Sequence, residues 1–204
     1  MSMPNKPKML CKLTAAVALM TAFGVWAQET TLAPAYAKPG INLRQYQQFL
    51  LLPLNLNETR VVPPPWVENP NPHEWDLTKK NRDTLASTYA SAVRSGIESA
   101  GTFKVVTEPT PGTLQVEVHL ISLTPWASRA EADAQTLGSG TMTFEAHVRD
   151  ARTGELLFVF QGNQQVGQDY QENTAFNKIS GLTEHFTNWG RNISRRLSEA
   201  QARQ

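Results

Sequence analysis

Leu114-Gln115-Val116-Glu117-Val118-His119-Leu120 alternates apolar and polar side chains without a break. Alternate residues of an extended chain share a face, so Leu114, Val116, Val118 and Leu120 point one way and Gln115, Glu117 and His119 the other. Thr141-Met-Thr-Phe-Glu-Ala-His-Val148 repeats the pattern, and Leu156-Leu-Phe-Val-Phe160 follows after the turn Asp150-Ala-Arg-Thr-Gly154. Three antiparallel strands are therefore expected over residues 114–161. One face carries Met142, Phe144, Ala146 and Val148 beside the first apolar row and forms a core that Phe158 and Phe160 are expected to join. The other face carries Thr141, Thr143, Glu145 and His147.

Outward from this block, the apolar face needs a cover. Leu85, Tyr89, Val93, Ile97 and Ala100 recur at steps of three or four, one face of a helix. Asp76 or Thr78 can cap that helix and Gly101 can end it. Ala86, Ala90, Ala92 and Gly96 keep its flank small enough to lie close on a sheet. Residues 175–202 give a second, longer stripe through Phe176, Ile179, Leu182, Phe186, Trp189, Ile193, Leu197 and Ala200. Arg191, Arg195, Arg196 and Arg203 crowd its end, where the helix dipole favours cations.

Two shorter strands complete the order. Residues 49–56 are apolar at both parities near their start, as in a strand buried on both faces, and Pro53 ends regular pairing because it donates no ladder hydrogen bond. Residues 102–107 supply Phe103, Val105 and Val106. The predicted fold is an α/β (α+β) two-layer sandwich of order β-α-β-β-β-β-α, with one mixed, mainly antiparallel sheet and two long helices on one face. Residues 162–173, rich in glutamine and asparagine, are expected to form a mobile loop, and residues 130–135 a helical turn.

Phe49-Leu-Leu-Leu-Pro-Leu54, Phe103-Lys-Val-Val106, Pro111-Gly-Thr-Leu-Gln-Val116 and Asp150-Ala-Arg-Thr-Gly-Glu155 resemble the bacterial family known as domain of unknown function 3313. The resemblance runs over about residues 46–200. It implies an envelope protein, since family members are mostly outer-membrane lipoproteins, and it brings no catalytic residues with it. This chain departs from that pattern in having no lipid-acceptor cysteine after its apolar leader.

The leader sets the compartment. Lys6, Lys8 and Lys12 precede an apolar run to Trp26, and Val25-Trp-Ala27 is a small-residue site, so residues 1–27 read as a signal peptide cleaved after Ala27. Ala35-Tyr-Ala37 is a second cleavage candidate, and an uncleaved anchor is the alternative. Cys11 lies before the apolar run, so it is not a lipidation site. Cleavage removes the chain's one cysteine, so the mature protein has no disulfide even in an oxidising compartment. It also removes three lysines and no acid, turning the formal +1 charge slightly negative, which argues against nucleic acid. Residues 28–44 are expected to be a flexible segment, followed by a single domain over 45–202 that is periplasmic or secreted. Membrane anchoring is expected only if the leader is retained.

The mature chain shows no nucleophile elbow, and His73-Glu74 has no second histidine at zinc spacing. Gly138-Ser-Gly140 opens no helix and precedes no lysine, so it is no phosphate cradle; no cofactor is expected. Two features could bind something. If the two long strands pair as a hairpin centred near Glu131, Glu117 lies opposite Glu145 with His119 and His147 one diagonal away, a set able to hold a divalent metal. The bland alternative is the wet face of an antiparallel sheet. The proline-rich stretch 61–75 displays Trp66 and Trp75, and Trp126 lies in another loop. These rings either dock a partner or pin their loops to the domain. The expectation is a non-enzymatic interaction or accessory module acting on another envelope protein, with a metal- or small-ligand-binding protein as the rival.

Overall fold

The computed structural model describes residues 33–204. In chain order, β1 (Tyr36–Ala37), β2 (Gln48–Leu51) and β3 (Arg60–Val61) precede a one-turn helix α1 (Pro72–Trp75) and the long α2 (Lys79–Glu98). Then come β4 (Lys104–Val106), β5 (Thr113–Pro125), β6 (Gln135–Leu137), β7 (Gly140–Asp150), β8 (Leu156–Val166), β9 (Tyr170–Glu172) and the terminal α3 (Ala175–Arg203). The larger elements β2, α2, β4, β5, β7, β8 and α3 keep the predicted order.

Alternation in residues 114–161 becomes the three long strands β5, β7 and β8, paired antiparallel in the main sheet, whose order is β1-β8-β7-β5-β2-β4. β2 lies between β4 and β5 and is parallel to both, so its connection to β4 needs a crossover, which α2 supplies. Pairing of β2 stops before Pro53 and resumes on the same edge of β5 at β3, with an isolated bridge from Asn55 to His119 between them. Among the described residues no helix is long and apolar enough to cross a membrane.

The apolar rows meet the helices in one core: Phe49, Val116, Val118, Met142 and Phe144 from the sheet, with Tyr89, Ile97, Phe186 and Leu197 from the helices. Phe158 and Phe160 pack against its edge. Thr78 and Thr174 cap the two long helices, their hydroxyls accepting the Asn81 and Asn177 N–H groups at 3.3 and 3.2 Å. The small flank of α2 serves a different neighbour from the one expected. A Cβ on Gly96 would stand 2.2 Å from the Thr187 carbonyl oxygen, and one on Gly190 2.3 Å from that of Val93. The glycines let α2 and α3 cross backbone against backbone, and Ser194 Oγ donates to the Ile97 carbonyl at 2.9 Å beside the crossing.

Several expectations are corrected. The expected mobile loop continues β8 to Val166 and forms β9, which pairs with β6 in a separate two-stranded sheet. Its polarity misled because Gln164 occupies a place opposite Met142, where it accepts the Trp189 indole N–H at 2.6 Å. Residues 128–134 make two successive turns in place of a helical turn. The proline-rich stretch contains α1, with Pro72 inside its first turn, where the absent N–H costs nothing. Ala100 is exposed past the end of α2, and the start of the α3 stripe is exposed too, Phe176 at 78% and Ile179 at 43%. Gly181 is where α3 reaches Val166, the last residue of β8, so the turns before it project beyond the sheet.

The segment 28–44 is not free where it is described. β1 pairs with β8, and the Lys38 ammonium meets the Glu155 carboxylate. Gln201 and Gln204 at the end of α3 hold the carbonyls of Ile41, Leu43 and Tyr46, with Gln204 also accepting the Leu43 N–H at 2.7 Å. A two-residue strand has no periodicity to read, and its partners lie at the far end of the chain. The expected signal peptide, its cleavage site after Ala27 and Cys11 fall outside the described residues.

Candidate functional site

The polar face of β5 and β7 brings Glu117, His119, Glu145 and His147 together, in a register different from the one expected. Glu117 stands opposite His147 and His119 opposite Glu145, so carboxylates face imidazoles across the strands. A pairing of Glu117 with Glu145 would set like charges in direct opposition, which an antiparallel ladder disfavours. The extra residue is Ile121, 47% exposed, where the register shifts between Leu120 and Ser122. The buried Thr59 hydroxyl donates to the Leu120 carbonyl at 2.6 Å and supports the bulge. This bulge explains why alternation falters before Leu123: beyond it Leu123 pairs with Met142 on the core side.

Within the cluster each histidine bonds the glutamate two residues before it. His119 Nε2 lies 3.0 Å from Glu117 Oε1 and His147 Nε2 lies 2.6 Å from Glu145 Oε1, with the two rings 5.4 Å apart. Asn55 Oδ1 accepts the Asn57 N–H at 3.1 Å, which turns the Asn55 amide nitrogen toward His119 Nδ1 at 3.2 Å. That nitrogen can only donate, so Nδ1 accepts, and Nε2 carries the proton that it gives to Glu117. The Gln161 amide donates to Glu145 and holds its carboxyl below the usual 4.5; burial opposes this, and His147 adds to it by hydrogen bond and charge.

Donor atoms of Glu117, His119 and His147 lie within 4.8 Å of one another. Two ligands at zinc bond lengths of about 2.0–2.1 Å can be no more than ~4.2 Å apart, so the side chains must close slightly around an ion. Metal on His119 Nε2 also moves its proton to Nδ1, facing the Asn55 amide nitrogen. Binding through Nε2 therefore requires that amide to flip and release Asn57. Nothing in the sequence singled out Asn55 as the group that sets the His119 tautomer, because it reaches the ring through an isolated bridge.

The tryptophans divide. Trp75 is buried at 6% exposure, part of the domain's own packing. Trp66 is 62% exposed and leans on Trp126, with ring centroids 5.5 Å apart. The two rings stand where the proline-rich stretch meets the 126–139 connection. Arg129 ties these segments together, donating to the Glu74 carbonyl at 3.2 Å and to that of His73. His185 is half-buried 5.2 Å from Trp189, and its Nε2 is buried with no hydrogen-bond partner.

No curated protein matches the chain at a significant level. Solved structures resemble it at low identity. Protein XCC0632 from Xanthomonas campestris, of family DUF330, is 10% identical with a TM-score of 0.47, over 85% of this chain and 98% of that one. The PelC dodecamer from Paraburkholderia phytofirmans is 9% identical with a TM-score of 0.37, over 78% and 93%. Lipoprotein GNA1162 from Neisseria meningitidis is 14% identical with a TM-score of 0.29, over 70% and 96%. A family model covers most of the chain, residues 27–193, and the chain thus belongs to the family described as protein of unknown function (DUF3313).

Proposed function

We propose that this protein is a secreted accessory protein of the cell envelope that acts by binding another envelope protein, without catalysis. The observation that carries the reading is the Trp66–Trp126 pair. An aromatic ring left 62% exposed, backed by a second ring and held on loops fixed by Arg129, has the make-up of an interface anchor. The signal-like leader supports the compartment, and the absence of a nucleophile or zinc motif from the sequence supports a non-enzymatic role. The test is a photo-crosslinking residue at exposed position 68 in cells, with the captured partners identified by mass spectrometry and compared between the otherwise unchanged chain and Trp66→Ala. Loss of a defined envelope partner from Trp66→Ala supports the reading; an identical partner set removes it.

A second reading has its own observation, the convergence of Glu117, His119 and His147. Zinc, copper or nickel titration followed by thermal melting tests it. A rise in melting temperature that His119→Ala/His147→Ala abolishes supports a metal site. No shift with any of the ions leaves the face as a hydrogen-bonded patch.

A further inference from the structure

The sandwich is not closed everywhere. Between α3 and the apolar face of β5, β7 and β8 lies a cavity of about 320 Å³.

 The cavity's walls are core residues such as Phe49, Val116 and Phe144, at 1–3% exposure.

The cavity is partly open to solvent, yet so large an apolar space beside a core is unusual, since protein interiors are close-packed with few gaps larger than a water molecule. Ordered water does not suit it, because a buried water needs two to four polar partners and these walls are almost wholly apolar. It lies at the small end of the ~300–1,000 Å³ range of ligand pockets.

Shape and charge narrow the occupant. The lining follows α3 from Trp189 to Ala200, about 16 Å at the helical rise, so it suits a chain better than a ring system. Counting a methylene at about the ~30 Å³ share of a water molecule, it holds roughly ten carbons, one acyl chain and not two. The polar lining groups are few. Gln164 already accepts the Trp189 indole N–H. Asn192 and Arg196 lie one turn apart on α3, and Arg196 is the charged lining residue among those described. Its guanidinium matches the two oxygens of a carboxylate.

We propose that the cavity binds a single fatty acid, its tail along α3 and its carboxylate at Arg196. The full chain is titrated by calorimetry with dodecanoate, with dodecylammonium and with diacylphosphatidylglycerol vesicles, while the part of the tryptophan fluorescence change that Trp189→Phe removes reports occupancy. The expected result is saturable one-to-one binding of dodecanoate, about tenfold tighter than dodecylammonium, with Arg196→Gln erasing that preference. Ala146→Leu, which puts a larger side chain into the wall, blocks dodecanoate and raises the melting temperature of the free protein. Should that variant not fold, Ala200→Leu at the cavity's end makes the same test. Absence of saturable dodecanoate binding overturns the proposal, as does unchanged binding by a folded wall variant. Association with vesicles alone also overturns it and assigns a membrane-surface contact instead.

Discussion

Tyr46 joins the first described segment to the hairpin that closes the β7–β8 pair. Its hydroxyl donates to Asp150 Oδ2 at 2.9 Å, while Asp150 Oδ1 accepts the Thr153 and Arg152 N–H groups at 2.8 and 3.0 Å. Gly154 completes the turn with φ +73°, a conformation that favours glycine. Burial raises the Asp150 carboxyl, but the Thr153 N–H and the Tyr46 hydroxyl outweigh it and hold the group below 3.8. Burial, then Asp150, pushes Tyr46 from 10.0 up to about 12. The neutral phenol is the form that the fold favours, so its contribution is complete below pH 10 and is lost as pH rises toward 12. Tyr46→Phe is expected to cost about 1.5–3 kcal/mol in urea denaturation at neutral pH and to remove the alkaline loss. His185 gives the opposite test. Burial pulls it from 6.5 down to about 4, so it is neutral when folded and protonated when unfolded through that window. Its contribution is complete above pH 6.5 and falls as pH drops toward 4. In His185→Phe the slope of stability against pH between these limits is expected to lose one proton's worth; an unchanged slope assigns the titration elsewhere.

At the scale of elements, the helix crossing gives the sharpest expectation. Gly96→Ala or Gly190→Ala places a methyl against a backbone carbonyl that no rotamer change can move, so the helices must part. Each is expected to cost about 1–3 kcal/mol or more in urea denaturation. The double variant is expected to cost less than the two single costs added together, because both act on one contact. The glycine flank of α2 was visible in the sequence, but its partner was not, since spacing identifies a small surface without saying what approaches it. Strands show the same division. Alternation exposed the core faces of β5 and β7, and it faltered where the Ile121 bulge lies. The residue count of the bulge and of the connecting segment fixed which glutamate meets which histidine, and neither is a periodic signal. β8 was legible only to Phe160, because its continuation sets Gly162 and Gln164 where a strand rule expects apolar side chains.

For the whole molecule, the order of the large elements was legible because each buries a long apolar face, and a face is what periodicity records. The locks between distant parts were not. Gln201 and Gln204 look like ordinary polar residues at a chain end, yet their side chains hold the backbone of residues 41–46 across the fold. They also fix the Leu197–Ala200 end of α3 beside Leu43, where the apolar cavity lies. Gln201→Ala/Gln204→Ala removes these bonds without altering the core. The double variant is expected to lose about 1–3 kcal/mol, less than the sum of its separate bonds because half of the group is exposed to water. Amide hydrogen exchange gives the decisive readout. The Leu43 and Tyr46 amides are expected to exchange faster, while those shared by β5 and β7 keep their protection. Uniform acceleration in all strands instead places the C-terminal turn of α3 in the same cooperative unit as the sheet.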